Sequence, residues 1–201
     1  MSYAIIGFGA VGQALAKSFA RQRIDVTVAS RRSPEVLEPT AKALGSNVIP
    51  RSLDEALSAD VIILAIPFSQ HQAIGKARSS WVGKLVIDAT NAHGTPLEEF
   101  GGLTSSAIVG RAFPGANFAK AFNHLPAAKL AADPTVEGGR RVIFIASDDP
   151  AAAASSELLI EALGYAPVFL GTLAEGATLT QARGRGWSPL TFQDLVKPDQ
   201  E

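Results

Sequence analysis

Tyr3-Ala4-Ile5-Ile6-Gly7-Phe8-Gly9-Ala10-Val11-Gly12 opens the chain, and one helical stretch later comes Val26-Thr27-Val28-Ala29-Ser30-Arg31-Arg32. A short apolar run, a G-x-G-x-x-G turn, a helix, a second apolar run and a basic pair predict the first βαβ unit of a dinucleotide-binding fold. Gly7 allows the tight turn out of the strand, Gly9 lets the backbone approach a pyrophosphate, and Gly12 lets the helix pack closely on the sheet. The pyrophosphate would rest on the free N–H groups of a helix over roughly residues 10 to 22, with Phe8, Ala10 and Val11 completing the cradle.

The end of the second strand selects the nicotinamide cofactor. An NAD site places an acid there for the ribose 2′-hydroxyl, whereas an NADP site carries arginine for the 2′-phosphate. This chain has Ser30-Arg31-Arg32 and no acid, because Asp25 lies at the opposite end of the strand. The planar guanidinium fork suits a phosphate, and Ser30 adds a further donor. The alternative is a solvated arginine pair on a loop.

Composition agrees with an α/β enzyme domain. Eighteen basic and nineteen acidic residues give a net charge of −1, which argues against nucleic acid or an anionic membrane as the main partner. The apolar run Val61-Ile62-Ile63-Leu64-Ala65-Ile66-Pro67-Phe68 is too short to span a bilayer and reads as a buried parallel strand. With the glycine turn so near residue 1, no signal peptide is expected. The chain has no cysteine, so disulfides and thiolate chemistry are excluded and a cytoplasmic location is expected.

Further along, strand-like and helix-like segments alternate. Helices are expected from Pro34 to near Gly45, with Ser33 as N-cap, over Leu53–Ser58, over Gln70–Ala77 and over Pro150–Leu163. Further strands are expected at Asn47–Ile49, 60–66, Lys84–Ala89, Phe118–Phe122, Arg141–Ala146 and Ala166–Leu170. This pattern predicts a Rossmann-type, doubly wound, mostly parallel sheet over residues 1–201 as one folded unit, with a small C-terminal extension from about residue 171. Ligands of open α/β sheets bind outside the carboxyl ends of the strands. Three such exits carry candidate groups: Ala65-Ile66-Pro67 after the fourth strand, Thr90-Asn91 after the fifth and Asn123-His124 after the sixth.

The glycine turn, Ser30-Arg31-Arg32, Ala65-Ile66-Pro67, the segment Lys120-Ala121-Phe122-Asn123-His124-Leu125-Pro126-Ala127, the helix start Ser147-Asp148-Asp149-Pro150 and Gly171-Thr172-Leu173 together resemble the F420-dependent NADP oxidoreductase family. The resemblance implies a Rossmann-type sheet, a homodimer, and hydride passage between NADP(H) and the deazaflavin coenzyme F420. From Arg183-Gly184-Arg185-Gly186-Trp187 onward the chain departs from it, being short and glycine-rich where some members carry longer helices.

No Tyr-x-x-x-Lys pair is present, since Tyr3 is followed by Gly7 and Tyr165 by Phe169 at that spacing. Hydride transfer to a planar ring needs two carbons placed face to face more than it needs a strong base. Asn123 and His124 are the candidate catalytic groups at the acceptor side, although His124 equally reads as a loop-stabilising residue. His93 reads as a surface-loop residue or a cleft-lining one, and His71 as a helix-start residue near solvent. Three scattered histidines without neighbouring ligands do not make a metal site. Phe68, Phe113, Phe118, Phe122 and Trp81 read as core. The expected function is NADP(H)-dependent hydride transfer to a small-molecule acceptor such as a deazaflavin or flavin. The alternatives are an NADPH-binding sensor or reductase component without turnover, and a small-carbonyl or imine reductase completed by a dimer partner.

Overall fold

The computed structural model describes residues 1–182 together with Leu190 and Phe192; the Arg183–Trp187 segment singled out above lies outside these. The apolar runs become strands β1 (Tyr3–Ile6), β2 (Val26–Ala29), β3 (Val48–Pro50), β4 (Val61–Leu64), β5 (Leu85–Asp88), β6 (Asn117–Ala121), β9 (Val142–Ala146) and β10 (Ala166–Phe169) of one sheet. A separate hairpin pairs β7 (Thr135–Val136) with β8 (Gly139–Arg140). The eight-stranded sheet has the order β10-β9-β6-β5-β4-β1-β2-β3. All its pairs are parallel except β6 with β9. The predicted doubly wound, mostly parallel architecture is therefore the observed one.

Both faces of the sheet are covered, which explains the continuous apolar character of the central strands. In β4, Val61 and Ile63 pack on one side and Ile62 and Leu64 on the other. The first side receives α1 (Ala10–Arg21), α2 (Pro34–Leu44), α6 (Ala127–Ala131) and α7 (Pro150–Ala162) through Leu15, Phe19, Leu37, Leu130 and Ile160. The second receives α3 (Leu53–Ala56), α4 (His71–Gly75), α5 (Ser105–Gly110) and α8 (Gly176–Thr180) through Ala56, Ile74, Val109 and Ala177. Tyr165 is fully buried, and its hydroxyl donates to the Leu130 carbonyl at 2.6 Å while meeting Ser18 Oγ at 2.9 Å, which ties α1 to the far half of the sheet. No helix of the described residues is long and apolar enough to cross a membrane.

Chain order reverses between β1 and β4, so the turn after β1 sits at the topological switch point where α/β sheets bind ligands. The sixth strand ends one residue earlier than expected, at Ala121. Phe122 turns out of the ladder with φ +64°, an unusual conformation for an aromatic residue, while remaining fully buried. Helices α5, α6 and α8 have no strong sequence signal because each is only five or six residues long and is held by packing rather than propensity. Ser33 occupies the N-cap of α2 with extended backbone, yet its side chain makes no capping bond to the helix; Pro34 supplies the start instead.

Candidate active site

Two glycines of the turn, Gly7 and Gly12, are required by the fold itself. Gly7 has φ +101°, and a Cβ there would lie 2.2 Å from the Ala65 carbonyl oxygen; its N–H donates to Ala29 O at 2.8 Å. A Cβ on Gly12 would lie 1.9 Å from Gly7 O, so α1 could not seat on β1 with any larger residue. Gly9 is different. It is the N-cap of α1, no side chain caps the helix, and a Cβ built on it meets nothing within 4 Å. The protein itself therefore does not require glycine at position 9, which fits a ligand that approaches this backbone closely.

Beside the turn a cleft of about 460 Å³ is lined by Gly7, Phe8, Gly9, Ser30, Arg31 and Arg32 on one side and by Leu53, Ala65, Ile66, Pro67, Gln70 and Ile74 on the other. Ser30 Oγ accepts the N–H of Arg32 at 3.0 Å, which fixes the loop after β2. The Arg32 guanidinium reaches back to the Phe8 carbonyl at 3.5 Å. Arg31 is exposed and has no hydrogen-bond or ion-pair partner among the described residues. This arrangement suits a nucleotide bearing a 2′-phosphate: a guanidinium free to fork onto the phosphate, beside an uncapped helix N-terminus for the pyrophosphate.

Ala65, Ile66 and Pro67 also line a second cavity of about 330 Å³, together with Val11, Phe68, Ser69, Asn91, His93 and Thr95. The two cavities thus adjoin at the end of β4, where they share the Ala65–Pro67 wall. His93 lines the second of them. Phe68, expected in the core, is half-buried and forms part of the cleft wall, its ring tilted against His71 at 4.9 Å and Phe100 at 5.7 Å. Phe113, Phe118, Phe122 and Trp81 are core, as expected. The expectation that His71 stands near solvent is corrected. It does begin a helix, but it is 5 % exposed because its Nδ1–H donates to Phe68 O at 2.5 Å and its ring packs on Phe68.

The Thr90-Asn91 exit is held from below by an ion pair absent from the sequence expectations. Lys120 Nζ lies 2.9 Å from Asp88 Oδ2 and also donates to the Thr90 carbonyl, while Asp88 Oδ1 accepts the Thr90 N–H at 2.8 Å. Asp88 and Lys120 are 0 % and 2 % exposed. Burial pulls the Lys120 ammonium below its ordinary range, and Asp88 pulls back the other way. The signal in the sequence was one charged residue in each of two apolar strands, Leu85-Val86-Ile87-Asp88 and Phe118-Ala119-Lys120-Ala121.

Asn123 is 6 % exposed and braces the same exit. Asn91 Nδ2 donates to Asn123 O at 2.7 Å, and Asn123 Nδ2 donates to Asn91 Oδ1 at 3.2 Å and to Thr180 O at 2.9 Å. His124 is 2 % exposed, and its ring lies 4.9 Å from that of Phe144. Neither of its ring nitrogens has a hydrogen-bond partner of good geometry among the described residues. Burial pushes its imidazole down to about 4, with the Val142 backbone pulling the other way. Neither Asn123 nor His124 lines either cavity; Asn91 and His93 do. Among the described residues no group of three His, Asp or Glu could hold a metal ion.

Residues 2–92, which carry the glycine turn, the arginine loop and the Ala65–Pro67 and Thr90–Asn91 exits, match the family described as NADP oxidoreductase, coenzyme F420-dependent. Among solved structures the chain is similar to a hypothetical protein of Sinorhizobium meliloti, at 41% identity and a TM-score of 0.91, over 96% of each chain. It also resembles a candidate F420-dependent NADP-reductase of an Arthrobacter species, at 24% identity and a TM-score of 0.71 over 86% of each chain. A reductive aminase of Aspergillus terreus, in complex with NADPH and ethyl-5-oxohexanoate, shares the fold at 21% identity and a TM-score of 0.64. There the match covers 88% of this chain and 56% of the aminase. No curated protein matches the chain.

Proposed function

From the premise that this chain belongs to the F420-dependent NADP oxidoreductase family, we propose that it transfers hydride between NADP(H) and a planar acceptor of the deazaflavin or flavin type. The observation that carries this reading is the wall of Ala65, Ile66 and Pro67 that the two adjoining cavities share. NADPH, when bound, supplies a hydride from its nicotinamide ring, and the acceptor takes up that hydride and a proton from solvent.

The chain's own residues bind, orient and exclude water. Arg31, with Ser30 and Arg32, holds the 2′-phosphate; Gly9 and the start of α1 hold the pyrophosphate. Ile66 and Pro67 form an apolar wall at the junction of the two cavities, and Asn91 and His93 offer hydrogen bonds on the acceptor side. Asn123 acts through Asn91, which it holds in place. His124 acts as packing under this loop, since its buried ring meets Phe144. Among the described residues that line the second cavity none is a carboxylate or a lysine, in keeping with a reaction governed by placement rather than by a strong base.

The test is to mix the protein and NADPH with F420, FMN, FAD, quinones and ferric chelates in turn, following absorbance at the nicotinamide band. Protein-dependent oxidation with a deazaflavin or flavin is the expected result. Tight NADPH binding without oxidation by any of them would overturn the proposal in favour of a cofactor-binding module.

A further inference from the structure

We infer that the groove between α4 and α5 is an anion-binding site that receives the negatively charged tail of the hydride acceptor. At about 790 Å³ it is larger than either part of the cofactor cleft. Lys76, Arg78 and Arg111 all line it, and no acidic residue does. None of the three cations forms an ion pair among the described residues; Arg78 makes only a long bond from Nε to Ser80 O, at 3.5 Å. On a chain of net charge −1, three cations without an ion-pair partner around one concavity give it a positive field that favours an anion.

The groove is preformed. Gly75 brings α4 onto the chain after α5 so closely that a Cβ there would lie 2.2 Å from Ala112 O, and the Gly75 carbonyl accepts the Trp81 indole N–H at 2.9 Å. Its position ties it to the hydride cleft. Gln70 and Ile74 face the cofactor cleft, while His71, Gln72 and Gly75 of the same segment face the groove. At the acceptor end the partition is one pair of rings: Phe68 lines the second cavity, His71 lines the groove, and the two are 4.9 Å apart. An acceptor whose ring sits beside Phe68 can therefore lay a tail over this partition into the groove. The assignment to the acceptor rests on the hydride-transfer reading above; the anion site stands on the groove's own residues. Phosphate and carboxylate both fit its chemistry.

The decisive measurement is calorimetric titration of tripolyphosphate, and separately of tri-γ-glutamate, into the full chain saturated with NADP⁺, so that the arginines of the cofactor cleft are already engaged. At least one probe should bind, with affinity roughly tenfold or more weaker in the double variant Lys76→Ala/Arg111→Ala. Which probe binds identifies phosphate or carboxylate as the recognised group. Absence of binding by both, or equal binding to the double variant, would overturn the site. So would a loss in Arg31→Ala that the double variant does not reproduce, since the anion would then belong to the cofactor cleft. In turnover, the KM advantage of F420 over its deazaflavin core lacking the phosphate and glutamate tail should shrink roughly tenfold or more in the double variant. Probe binding without NADPH oxidation by either acceptor would leave the groove standing and sink the hydride reading instead.

Discussion

Lys120 Nζ lies 2.9 Å from Asp88 Oδ2 at the carboxyl ends of adjacent strands, with both residues shielded from water. Because Asp88 also accepts the Thr90 N–H and Lys120 also donates to the Thr90 carbonyl, the pair fixes both polar backbone groups of the residue before Asn91. A buried ion pair gains little over an apolar pair, but removing one partner strands the other. Lys120→Met should therefore destabilise the fold by about 3–5 kcal/mol, as leaving a lone buried carboxylate does. Chemical denaturation measures it, and a loss below about 1 kcal/mol would show that the pair is not what holds the loop.

For the arginine loop, Arg31→Ala should weaken NADPH binding by roughly tenfold to a hundredfold, the value of a charge-assisted hydrogen bond to phosphate. NADH binding should barely change. Fluorescence titration with both cofactors decides it, because equal losses would place Arg31 away from the 2′-phosphate.

The three glycines of the turn should separate into two kinds. Gly9→Ala should leave the melting temperature nearly unchanged, since its Cβ meets nothing within 4 Å, while weakening NADPH and NADH alike. Gly12→Ala puts a Cβ 1.9 Å from Gly7 O and should destabilise the fold by about 1–3 kcal/mol or more. A thermal melt beside a binding curve distinguishes them; if Gly9→Ala binds cofactor normally, the turn is only structural.

The His124 prediction is one of pH. Its folded value of about 4 lies below the ordinary 6.5, so the folded state resists protonation that the unfolded chain accepts. Its contribution to stability is full above the unfolded value and is lost as pH falls from about 6.5 to about 4, by an amount on the order of 3 kcal/mol. Denaturation of the native chain and of His124→Leu at pH 7 and pH 4.5 should show the native chain losing more on acidification. Equal losses in the two would mean that His124 is protonated in the fold. On the proposed role, His124→Gln should retain most turnover and NADPH affinity.

The strand and helix pattern, the glycine turn and the Ser30–Arg32 loop were legible in residue order because each depends on local rules. Apolar runs bounded by turns make strands, a positive φ needs glycine, and a basic pair at the end of the second strand falls beside the turn through βαβ geometry alone. What lies beneath the fifth and sixth strand exits was not. Asp88 and Lys120 are far apart in the chain and meet only because β5 and β6 pair with Asp88 opposite Lys120. Asn123 and His124 read as cleft residues from their place after β6, but Phe122, at φ +64°, turns the chain so that Asn123 bonds Asn91 and His124 packs on Phe144. Periodicity does not encode a left-handed aromatic residue, because only packing in the finished core holds it there. Sequence by itself thus determined the fold and the meeting of the glycine turn with the Ser30–Arg32 loop, whereas tertiary structure decided which side chains line the cavity at the ends of β4 and β5, since strand register and one backbone torsion set their direction.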